Sequence, residues 1–198
     1  MPITADQVKQ LREMTGAGMM ECKKALAEAG GDLDKAVDAL RKSGAAHVAK
    51  RAGRAANEGR VDAYIHPGNR VGVLIEINCE TDFVARTDEF AQLVRNVAMQ
   101  VAAASAEYVR REEVPAERIA RERDVLAGQA EHQGKPAAIL EKIVEGRLNK
   151  FFAEVCLLEQ PFIRDDKRTV AQIVEEAAHK TGENIVVRRF TRFRLGQE

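Results

Sequence analysis

The sequence predicts an α+β protein, and three observations carry that prediction. Apolar residues recur at helical spacing through the first 42 positions, and again from Phe90 to Val101. Between these blocks Val61, Ala63 and Ile65 alternate, Pro67-Gly68-Asn69 turns the chain, and Val71, Val73, Ile75 and Ile77 alternate again. A last extended segment, Asn184 to Leu195, supplies a third strand. The expected architecture is an N-terminal three-helix module, then a core of a small three-stranded antiparallel sheet packed with helices and a projecting helical hairpin.

Each element has its own signal. Thr4 with Gln7 forms a capping-box pattern ahead of Val8 and Leu11. Thr15-Gly16-Ala17-Gly18 breaks that helix, and Met19, Met20, Cys22, Leu26 and Ala29 follow. Gly30-Gly31-Asp32 breaks the next, with Asp32 placed to cap a helix carrying Leu33, Ala36, Val37 and Leu40. Residues 1–42 are therefore read as one module. From 43 to 59 the apolar period disappears, leaving Ala, Gly and the bases Lys50, Arg51 and Arg54, so this stretch reads as a linker, in part helical. Residues 60–198 form the α+β core. Within it a helix opens near Thr87, and two charged helices over about 115–150 meet at Gln133-Gly134-Lys135-Pro136. Their apolar residues are sparse, so only the base, Phe151, Phe152, Val155 and Leu158, is expected to be buried. Thr169 with Gln172 repeats the capping-box pattern, and Gly182 closes the helix that follows.

Composition narrows the function. The 198 residues carry 31 basic and 31 acidic side chains, so no overall field favours nucleic acid. There is no leading apolar run with a cleavage site and no apolar stretch long enough to span a bilayer. Cys22, Cys79 and Cys156 are far apart and odd in number, as suits reduced thiols in the cytoplasm. No Walker-type loop, G-x-S-x-G elbow or H-E-x-x-H pair occurs, and His47, His66, His132 and His179 lack metal-ligand spacing. An enzyme is not expected, nor a cofactor or metal. The bases from Lys50 to Arg60 lack interleaved aromatics, and Arg188, Arg189, Arg192 and Arg194 have abundant carboxylates to pair with.

Two features leave alternatives open. Met19 and Met20, just past a double-glycine turn, suit a core or an adaptable contact surface. Thr81-Asp82-Phe83-Val84 sits at a strand-to-helix turn, where binding residues concentrate. The same residues also read as ordinary helix-start chemistry, with Thr81 as cap, Asp82 favouring the N-terminus and Phe83 packed inward.

Thr15-Gly16-Ala17-Gly18-Met19-Met20-Glu21-Cys22-Lys23-Lys24-Ala25-Leu26 resembles the N-terminal signature of the elongation factor Ts family. Asn78-Cys79-Glu80-Thr81-Asp82-Phe83-Val84-Ala85 resembles its second signature. Glu145-Gly146-Arg147-Leu148, Gln160-Pro161-Phe162 and Gly182-Glu183-Asn184-Ile185 match in the same order. The resemblance implies a guanine nucleotide exchange factor whose partner is the GDP-bound GTPase elongation factor Tu. It implies a ubiquitin-associated-like fold for residues 1–42, with Met19 and Met20 on a helix of the GTPase domain. Thr81, Asp82, Phe83 and Val84 would form the inserting corner, with Asp82 and Phe83 disturbing the magnesium ion and phosphate loop. Longer relatives have two core halves, and this chain has strands for one, so a symmetric homodimer with the last strand near the interface is expected. Two other readings are a ubiquitin-associated-type adaptor acting through residues 1–42 and an RNA-binding chaperone using the basic linker.

Overall fold

The computed structural model describes residues 3–51, 53–132 and 137–197. By compactness these fall into two units. The first joins the N-terminal residues to Gly59 with Asn78–Phe90 and Val174–Val186. The second comprises Arg60–Ile77, Ala91–Ile173 and Val187–Glu198. The signature segment around Phe83 thus groups with the N-terminal helices and with Val174–Val186, whereas a cut at residue 60 divides them.

In the first unit, α1 (Ala5–Thr15) begins at Thr4, whose side chain accepts from the Gln7 amide while the Gln7 side chain accepts from the Thr4 amide. Gly16 ends it in the left-handed region at φ 68°. A Cβ at Gly16 would also meet the flexible Lys180 side chain at 2.7 Å, which would have to move aside, so the left-handed φ is what calls for glycine. Next come α2 (Met19–Glu28) and α3 (Leu33–Arg51), the latter started by Asp32, which accepts from the Lys35 amide at 3.1 Å. Val8, Leu11, Cys22, Ala25, Leu26, Ala36 and Leu40 close one apolar cluster. Leu26 is fully buried there. Leu26→Ala is expected to cost about 2–5 kcal/mol, read as a lower denaturation midpoint by circular dichroism.

The helical part of the stretch read as a linker reaches Arg51, because α3 continues unbroken from Leu33 to Arg51. The Arg51 guanidinium donates to the Ala178 carbonyl at 3.4 Å and fastens the far end.

The second unit is built on strands. β1 (Glu58–Ile65) and β2 (Val71–Cys79) form the expected hairpin, closed by the His66 amide donating to the Val71 carbonyl. β5 (Val186–Arg194) lies on the other side of β2, giving the order β1-β2-β5. The end of β5 lies beside the start of β2, with the Leu195 amide on the Arg70 carbonyl, so the pair is antiparallel. Val73, Ile75 and Ile77 are buried, as are Leu93, Val94, Val97, Ala98 and Val101 of α5 (Asp88–Ala104).

The opposite face of the hairpin is bare. Val61 and Ile65 of β1 and Leu74 of β2 are exposed, and Ile65 lies against Gly72. Glu76 shares that face by the two-residue period and pairs with Arg189 of β5 at 2.7 Å. Phe193, four residues along, is exposed in turn.

The long helices α6 (Ala116–His132) and α7 (Ala137–Val155) pack together. Their expected meeting point at residues 133–136 lies outside the described residues. The expectation that only the base is buried fails: Leu126, Ala130, Val144 and Leu148 are buried together with Phe152 and Val155. Few apolar side chains suffice, because two helices share each one across a single seam. The sequence also gave no warning of a two-stranded ribbon, β3 (Pro161–Phe162) with β4 (Asp165–Thr169). It is too short and too polar to show a period.

Candidate functional site

The signature corner is built where β2 hands over to a single helical turn, α4 (Asp82–Ala85). Thr81 is its cap, extended at φ −127°, with its hydroxyl accepting from the Val84 amide at 3.4 Å. Asp82 occupies the first turn, where a carboxylate suits the helix dipole, and pairs with Arg86 at 2.8 Å. Ala85 turns inward, and Val84 is half-buried. Phe83 does neither: 80% of it is exposed. Capping and exposure are therefore compatible at this turn, and the inward packing that helix-start chemistry allowed for Phe83 does not occur.

The back of the corner is tied in several directions. The Cys79 thiol donates to the Thr81 carbonyl at 3.2 Å. The Glu183 carboxylate accepts from the Glu80 amide, the Thr81 amide and the Thr81 hydroxyl. In return the Glu80 carboxylate accepts from the Asn184 amide at 2.7 Å and pairs with Arg54 at 3.5 Å. Asn184 also donates to the Arg54 carbonyl at 2.8 Å. Arg54, read from the sequence as part of a basic linker, is thus committed to the protein's own carboxylate.

Met19 and Met20 open α2 and face solvent, at 55% and 75% exposure. The core alternative for them is thereby removed: Cys22, Ala25 and Leu26 carry the buried stripe. Met14, which no sequence signal separated from its helix, is exposed as well. All of these residues and the Phe83 corner belong to the first unit.

The titratable groups offer little chemistry. Burial pushes the Cys79 thiol up to about 11, with the nearby Glu183 charge adding to the effect. Burial likewise raises Cys156 to about 11, and it raises Cys22. All three thiols stay protonated near neutrality and are poor nucleophiles. An unfolded chain ionises these thiols from their ordinary 9.0, before the folded chain does, so the unfolded state is favoured as pH rises from there to about 11. Denaturation midpoints are expected to fall across that window, and to fall less steeply in Cys156→Ala. No group of three metal-ligating side chains occurs among the described residues. His66 bonds the Tyr64 hydroxyl, and both ring nitrogens of His179 are buried without a partner among the described residues. The side chains of His47 and His132 lie outside the described residues. No described helix is long and apolar enough to cross a membrane.

An α+β scaffold that presents an aromatic and a methionine pair outward falls in the class of proteins that act through contact with a partner. A sequence family described as Elongation factor TS matches residues 5–197. Elongation factor Ts of Carboxydothermus hydrogenoformans is 62% identical over 195 residues, covering 98% of this chain and 90% of that protein. Those of Heliobacterium modesticaldum and Moorella thermoacetica are each 60% identical over 195 residues, covering 98% of this chain and 91% and 96% of theirs. The chain belongs to the elongation factor Ts family, the nucleotide exchange factors of translation elongation, which are not catalytic enzymes.

Proposed function

We propose that this chain binds the GDP-bound form of elongation factor Tu in the cytoplasm and loosens its nucleotide by inserting the Asp82-Phe83 corner beside the magnesium and phosphate site. The observation that carries the reading is the 80% exposure of Phe83 on a turn whose back is fully tied. A large apolar ring held in water gains most from a partner's pocket, and a pre-ordered turn loses little entropy on entering it. Asp82 brings a negative charge to the same turn. Magnesium bridges protein and diphosphate oxygens, so displacing its ligands or waters weakens nucleotide binding without breaking a bond.

Residues 1–42 act as a second contact, a ubiquitin-associated-like module with Met19 and Met20 against a helix of the GTPase domain. Flexible thioether side chains at a helix start conform to such a surface. Thr81 and Val84 shape the corner, the first by capping it and the second at its half-buried edge.

A symmetric homodimer completes the reading. Its interface is the bare sheet face carrying Val61, Ile65, Leu74 and Phe193, all exposed in the single chain. Such a face, next to the last strand, offers a second copy an apolar, self-complementary surface. The exchange reading is tested by the rate of GDP release from elongation factor Tu with and without the chain.

A further inference from the structure

We propose that Glu183 is a positioning residue for the exchange corner, a carboxylate clamp that sets the direction in which Phe83 points; this rests on the exchange reading above. A single turn of four residues, Asp82–Ala85, cannot hold its own conformation. Helix nucleation is unfavourable, and the Thr81 cap bond to the Val84 amide is long at 3.4 Å. Something outside the turn must fix it.

Glu183 is placed to do so from 102 residues away in sequence. Its Oε2 accepts from the Glu80 amide at 3.0 Å and the Thr81 amide at 3.1 Å, while Oε1 accepts from the Thr81 hydroxyl at 2.6 Å. The hydroxyl bond orients Thr81 so that its free lone pair faces the Val84 amide. One carboxylate therefore holds the two amides that enter the turn and, through Thr81, the first amide bonded within it. Glu80 grips the Asn184 amide in return, so the two strands of the bridge lock each other.

The clamp differs in kind from a stabilising ion pair. Exposed pairs contribute little to global stability. Here the acceptor meets two backbone donors and a cap, so its removal frees the direction of the turn more than it unfolds the protein. The maximal exchange rate should suffer, because a misdirected ring no longer reaches its pocket. The affinity supplied by the separate Met19-Met20 contact should change less.

The test titrates the full chain against elongation factor Tu loaded with a fluorescent GDP analogue, giving a maximal release rate and a half-saturating concentration. Glu183→Ala is expected to lower the maximal rate about tenfold and to shift half-saturation less than about threefold. Glu183→Gln is expected to restore most of the rate. Its amide oxygen still accepts from both backbone amides, and its NH2 donates to the Thr81 hydroxyl. Hydrogen exchange at the Glu80, Thr81 and Val84 amides is expected to speed up in the alanine variant alone. A wild-type maximal rate for Glu183→Ala overturns the clamp. So does an equal loss in Glu183→Gln, which would mean that charge rather than geometry matters, or a loss confined to half-saturation, which would mean direct contact with the partner. If Glu183→Ala fails to fold, Glu183→Asp, one methylene short of both amides and the hydroxyl, reads the same bonds: a lowered maximal rate supports the clamp, and a wild-type rate overturns it. A wild-type chain that leaves release at its basal rate overturns the exchange reading, and the clamp's purpose with it.

Discussion

Phe83→Ala is expected to reduce the maximal rate of GDP release from elongation factor Tu by about 30-fold or more, while moving the melting temperature hardly at all. The two halves of that expectation have separate causes. Truncating an aromatic anchor at the centre of a contact costs about 2 kcal/mol or more, and each 1.4 kcal/mol is about tenfold. Within its own chain Phe83 is 80% exposed, so little packing is lost with the ring. Substitutions at such positions stay within about 0.5 kcal/mol of stability. Stopped-flow release and a thermal melt, run on the same preparation, separate the outcomes. Early melting with normal release per folded molecule would make Phe83 a structural residue.

Leu74→Glu combined with Phe193→Glu is expected to leave the chain monomeric at micromolar concentration, a weakening of the proposed homodimer by at least about 100-fold. Both side chains stand exposed on the sheet face where Ile65 covers Gly72. In a symmetric interface each substitution enters twice, so four unpaired carboxylates would have to be buried. Sedimentation velocity of wild type and double variant reads the change directly. A wild-type chain that sediments as a monomer contradicts the dimer. These positions belong to the second unit and Phe83 to the first, so exchange measured on the monomeric variant also tests whether the corner works alone.

What the sequence revealed depended on whether the governing interaction was local. The Thr4–Gln7 and Thr169–Gln172 caps span three residues each, and both form as read. Asp32 caps α3 for the same reason. The β1–β2 hairpin was legible from its turn and alternation, yet its polarity was not: Val61 and Ile65 are apolar and exposed. Period-two patterning marks a strand face without saying what covers it. Met19 stands three and seven residues before Cys22 and Leu26, the spacing of the buried stripe, yet at the first position of the helix it faces solvent. Methionines at a helix start left core and contact surface both open, and the family signature pointed to the contact. The far half of α3 was legible only as partly helical, because no apolar stripe marks where it ends. The Glu183 clamp could not be read at all, since nothing local links it to Thr81.

Linkage adds a constraint on the whole proposal. If this chain weakens GDP binding to its partner by some factor, GDP must weaken the chain's own binding by the same factor. The corner therefore needs no nucleophile, only a conformation of the partner that it stabilises and the nucleotide does not.

The most direct measurement mixes elongation factor Tu, carrying a fluorescent GDP analogue, with excess unlabelled nucleotide and increasing amounts of this chain in a stopped-flow instrument. The expected result is release that accelerates with chain concentration and saturates. Release that stays at its spontaneous rate, with the chain folded and in excess, would contradict the claim that Phe83 and its corner unseat the nucleotide.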